Sequence, residues 1–135
     1  MISKASLSGA FFFLSMKFSV VVNASPELPA SRAALQFCHA IIAQTHSIHR
    51  VFFLNEGVLN AHIDQAISND WAEFFSSNNC DAACCTASCQ TKGLADTLGG
   101  PSTKIHPAFT IAGLGQLVEA SLKSDRLITF GQRVC

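Results

Sequence analysis

The sequence predicts a single three-layer α/β/α domain built on a mainly parallel sheet. Short β-branched or aromatic runs alternate with stretches of helical apolar periodicity, the pattern of a parallel sheet covered on both faces. Charged residues are only 13% of the chain and hydrophobic ones 49%, where about 25% charged is usual, so much of the surface is buried in a core or in subunit interfaces. The length, 135 residues, suits one domain.

The first strand is expected at Met16-Lys17-Phe18-Ser19-Val20-Val21-Val22-Asn23: one charge, then a β-branched run. Ser25-Pro26-Glu27-Leu28-Pro29 reads as a loop, because closely spaced prolines oppose a helix interior. Residues 30–45 form a helix, with Ala34, Leu35, Phe37, Cys38, Ile41 and Ile42 at helical spacing. A buried strand over 49–54 ends in the turn Asn55-Glu56-Gly57. A second helix spans 63–77 with Ile67, Trp71, Phe74 and Phe75 inward, and Asn78-Asn79 marks its end. Residues 82–85 are a third strand and 86–92 a helical turn or two closed by Gly93. After a Gly/Pro/Ser-rich loop over 99–103, an amphipathic helix over 114–123 carries Leu114, Leu117, Val118 and Leu122 on one face. Residues 126–130 are the last strand.

The N-terminus imitates a secretory signal: Lys4, the apolar Ala10-Phe11-Phe12-Phe13-Leu14, and Val22-Asn23-Ala24 as a cleavage site. Lys17 breaks the apolar run, and cleavage after Ala24 would discard the first strand. Residues 1–15 are therefore read as an extension outside the fold and Met16 as the start of the domain. No run approaches a membrane span, and the expected location is the cytoplasm.

Nine basic residues balance nine acidic ones, which argues against direct nucleic-acid binding as the main task. Hydrolase and nucleotide-binding signatures are missing. The densest chemistry is Cys80-Asp81-Ala82-Ala83-Cys84-Cys85-Thr86-Ala87-Ser88-Cys89. Its thiol spacings do not match structural zinc, and adjacent strand residues point to opposite faces, so neither a metal nor an organic cofactor is expected. Cys38, Cys80, Cys84 and Cys89 read as small buried hydrophobes. Cys85 stands apart, at the C-terminal edge of a strand and directly before a helix, where open α/β sheets place ligand sites. A thiol facing helix N-terminal amides meets a positive potential that favours the thiolate, and Thr86, Ser88 and Lys92 can add hydroxyls and a charge.

Three segments resemble the DsrE-like sulfur-relay family, most of all its TusD branch. They are Ala34-Leu35-Gln36-Phe37 with 51–61, Cys85-Thr86-Ala87-Ser88-Cys89-Gln90-Thr91-Lys92-Gly93-Leu94, and 109–122 continuing to Phe130. The likeness covers 16–130, leaving 131–135 as a tail. It departs from the family in the loop after the first strand, in a shorter segment between Ala61 and Trp71, and in Thr91 where an arginine is common. The resemblance implies a sulfurtransferase whose Cys85 carries a persulfide stabilised by Thr86, Ala87, Ser88 and Lys92. It implies sulfane sulfur taken from a TusA-like donor and passed to a TusE- or DsrC-like acceptor, for 2-thiouridine formation in tRNA. It also implies TusB-like and TusC-like subunits in a heterohexamer, with no direct nucleic acid and no membrane. The rivals are a non-catalytic interaction subunit of the same assembly, a sulfur-oxidation relay component, a secreted disulfide protein, and a redox sensor in which Cys85 pairs with Cys84 or Cys89.

Overall fold

In the computed structural model, which describes residues 14–96 and 102–131, the β-branched run becomes β1 (Lys17–Val22). It is followed by α1 (Pro29–Ala43), β2 (Ser47–Phe53), a 3-10 helix (Asn55–Ala61) and α2 (Ala66–Asn78). Then come β3 (Asp81–Cys85), α3 (Thr86–Thr91), β4 (Thr110–Ala112), α4 (Gly115–Lys123) and β5 (Arg126–Phe130). The strands form one five-stranded sheet in the order β4-β3-β2-β1-β5, and every pairing is parallel. β1 is hydrogen-bonded on both sides, so cleavage after Ala24 would split the sheet. Most of the expected extension, part of the 99–103 loop and nearly all of the tail lie outside the described residues.

Alternation sorts the strand residues onto two unequal faces. Val20, Val22, Val51, Phe53, Ala82 and Cys84 meet α1 and α2 in the main core, where Trp71, Phe53 and Phe75 pack ring against ring. Phe52, Ala83 and Cys85 form a smaller cluster on the opposite face, packed by Leu54, Ala112 and Leu117 of α4. Arg50 fastens α4 there. Its Nε donates to Asp81 at 2.8 Å and its Nη1 to the Gln116 carbonyl at 3.0 Å, and the guanidinium also pairs with Glu119. Glu119 is further bound by His49 Nε2 at 3.0 Å.

Two elements differ from the sequence reading. Asn55-Glu56-Gly57 opens a 3-10 helix instead of a simple turn, because Asn60 inside it becomes a buried hub. Its Nδ2 donates to the carbonyls of Ala24 (3.0 Å) and Gly57 (2.9 Å), while its Oδ1 accepts from Ser31 and Trp71. Gly57 is required by close approach: a Cβ there would lie 1.9 Å from the Val22 carbonyl oxygen. β4 is the second, a three-residue edge strand too short to leave a periodic signal. Pro29 begins α1, since its missing N–H costs nothing at the first helical position.

α4 is amphipathic as read, but its apolar residues do not all turn inward. Leu117 packs on the sheet while Leu114, Val118 and Leu122 are 53%, 58% and 79% exposed. Leu127 of β5 is also exposed, and it stands in register with Ser19, on the α4 side of the sheet.

Candidate functional site

Cys85 is the last residue of β3, in register with Ala112, and its extended backbone makes it the residue that caps α3. The chain turns there because Cys85 still holds strand dihedrals while Thr86 opens the helix. Its thiol does not cap α3 by a hydrogen bond. It lies instead among Phe52, Ala83, Leu54, Ala112 and Leu117, with the residue 2% exposed.

The other expected site residues divide. Ala87, Ser88 and Lys92 line a cleft of about 360 Å³ together with Asn55, Glu56 and Thr91. Neither Cys85 nor Thr86 lines it. Asn55 takes the left-handed conformation at φ 53°, and Ser88 Oγ accepts its backbone N–H at 2.9 Å. Lys92 Nζ is ion-paired with Glu56, so its charge is already met within the cleft. Glu56 was legible in the sequence only as part of a turn; its distance from Lys92 along the chain hides the pairing.

The five described cysteines are all free. Cys84 and Cys85 point to opposite faces, as successive strand residues must. Side-chain coupling to Cys89 pushes the Cys84 thiol well up from its usual pKa, with burial adding to the effect; the same coupling lowers Cys89 against the effect of its burial. Burial pushes Cys80 up to about 12, with Asp81 contributing, and burial likewise raises Cys38. Three or more His, Cys, Asp or Glu side chains do not converge as metal ligands anywhere among the described residues. No helix among them is long and apolar enough to cross a membrane.

A chain built this way has recognisable relatives. The DsrE/DsrF-like family profile matches residues 16–130. The DsrE protein of Allochromatium vinosum is 40% identical over 86% of this chain and 99% of its own length. A "Sulfurtransferase TusD homolog" of Pseudomonas aeruginosa is 34% identical over 86% of this chain and 98% of its own. "Sulfurtransferase TusD" of Salmonella arizonae is 35% identical over 85% and 100%. Among solved structures, the ychN protein of E. coli superposes with a TM-score of 0.70 at 20% identity, covering 85% of this chain and 99% of that one. A Methanobacterium thermoautotrophicum protein of unknown function gives the same score at 12% identity, over 84% and 99%. These two likenesses speak for the fold.

Proposed function

The chain belongs to the DsrE/DsrF-like family, and we propose that it is a persulfide-carrying sulfurtransferase subunit of a cytoplasmic sulfur relay. Cys85 thiolate attacks the terminal sulfur of a donor persulfide R–S–SH, giving Cys85–S–SH and releasing R–S⁻; the acceptor's thiolate then takes that terminal sulfur and frees Cys85. The donor is a TusA-like protein, the acceptor a TusE- or DsrC-like one, and the end product 2-thiouridine in tRNA. The observation that carries this reading is the place of Cys85, which ends β3 at the C-terminal edge of the sheet where α3 begins. Relatives named as TusD sulfurtransferases over nearly their whole length support it.

Thr86, Ala87, Ser88 and Lys92 are the proposed persulfide-stabilising residues. Three of them share the polar cleft beside α3, a place where the terminal sulfur would meet partners once it leaves the apolar cluster. TusB-like and TusC-like subunits are the proposed partners in the assembly. The exposed Leu114, Val118, Leu122 and Leu127 supply an apolar surface suited to them. A sulfur-oxidation relay is the second reading, favoured by the 40% identity to DsrE against 34% and 35% to the two TusD relatives.

The test is to incubate the protein with a persulfide donor, alkylate it, and map the thiols by peptide mass spectrometry. The expected result is an adduct of about 32 Da on Cys85 that Cys85→Ser abolishes without unfolding the chain. Loading that persists in this variant would move the role to another cysteine. No loading under conditions that load a control carrier would leave a non-catalytic interaction subunit.

A further inference from the structure

An apolar stripe on the α4 side of the sheet runs toward the end where β1 begins. Leu114, Val118 and Leu122 recur every four residues, forming one line about 12 Å long, and Leu127 of β5 is exposed on the same side. They are four of the six large apolar side chains that stand exposed among the described residues. The N-terminal chain enters the sheet beside this stripe. Lys17 N donates to Asp125 Oδ2 at 2.8 Å and Asp125 N to the Lys17 carbonyl at 2.7 Å, and Asp125 lies between α4 and β5. Ser15 Oγ on the Thr45 carbonyl and Met16 N on His46 Nδ1 hold the two preceding residues. Leu14, just ahead of them, is 70% exposed.

We infer that residues 1–13 of the same chain dock on this stripe, with Phe11, Phe12 and Phe13 covering Leu122, Val118 and Leu127. Lys4 is the only charged side chain in that segment, and three adjacent phenylalanines gain by leaving water. The reach suffices. Leu122 stands three residues before Asp125 and so lies at most about 16 Å from Lys17, while Phe11, six residues before Lys17, extends to about 20 Å. The anchors at Ser15 and Met16 make the contact intramolecular, so at low protein concentration it prevails over a second copy of the chain. In the isolated chain the segment therefore occupies the surface proposed above for partner subunits, which have to displace it. This inference does not depend on Cys85 carrying sulfur.

The experiment places p-benzoylphenylalanine at Phe12 of the full chain, irradiates an equal mixture of light and heavy-nitrogen chains, and maps crosslinks by tandem mass spectrometry. The expected crosslinks run to α4 or β5 within one chain, and Val118→Asp combined with Leu122→Asp should abolish them. Amide exchange over α4 should be about threefold slower in the natural chain than in one carrying Phe11→Ser, Phe12→Ser and Phe13→Ser. Crosslinks only between light and heavy chains would put a second copy on the stripe and overturn the inference. Crosslinks to α1 or α2 instead, no crosslink at all, or equal exchange in the two chains would overturn it as well. Because the probe at Phe12 keeps an aromatic side chain, the crosslink map is decisive even if the triple serine variant folds poorly.

Discussion

Replacing Leu117 by alanine should speed alkylation of Cys85 in the native protein by about five- to thirtyfold. Leu117 is the α4 residue that packs on Phe52, Ala83 and Cys85, and it is itself partly buried. The substitution removes three carbons at about 0.8 kcal/mol each if fully buried. Roughly half burial and a small void bring the loss to about 1 to 2 kcal/mol. Cys85 is 2% exposed, so a reagent reaches it through a local opening. If that opening is the lifting of α4, the lost docking energy enters its equilibrium in full, and about 1.4 kcal/mol is tenfold. The assay is a native iodoacetamide time course, read by peptide mass at Cys85 and at Cys38, which is buried in α1 on the opposite face. An unchanged Cys85 rate would refute α4 as its cover, and equal acceleration at Cys38 would mean global unfolding instead.

Asn60→Ala should cost about 2–4 kcal/mol, because the carbonyls of Ala24 and Gly57 and the donors of Ser31 and Trp71 lose their buried partner. A urea midpoint lowered by less than about 0.5 M would contradict that hub. The His49 hydrogen bond, then Arg50, holds the Glu119 carboxyl below its usual 4.5. Its contribution to folding is thus complete above the unfolded-state value and lost as the pH falls through the folded one. Urea midpoints at pH 7 and 3.5 should consequently fall further for the natural chain than for Glu119→Gln; equal falls would show that the pair does not couple to folding. Val118→Asp combined with Leu122→Asp should block co-purification with TusB-like and TusC-like subunits while leaving the thermal midpoint of the isolated chain nearly unchanged, since both residues are solvent-exposed.

Most of the fold was legible because its signals are local. Val20, Val22, Val51 and Phe53 announce buried strands, and Trp71, Phe74 and Phe75 mark the inner face of α2 by spacing alone. The ends were harder: Pro29 is a breaker inside a helix but a good first residue, and the sequence does not say which role it holds. β4 was missed because a three-residue edge strand has no period to detect. On α4 the periodicity identified a helix correctly, yet it does not distinguish a stripe that meets the core from one left for a partner.

By itself the sequence determined the alternating elements, the position of Cys85 at the end of a strand, and the opposite orientation of Cys84, since these follow from neighbours within a few residues. Tertiary structure decided what each thiol meets. Leu117 over Cys85, Glu56 on Lys92, and Arg50 holding Glu119 all arise when α3, α4 and the 3-10 helix settle on the sheet. All three contacts join residues more than thirty positions apart. A local pattern specifies which residues are apolar or charged. The packing of one element on another specifies which of them touch, and that contact governs how a thiol is reached and what it can bond.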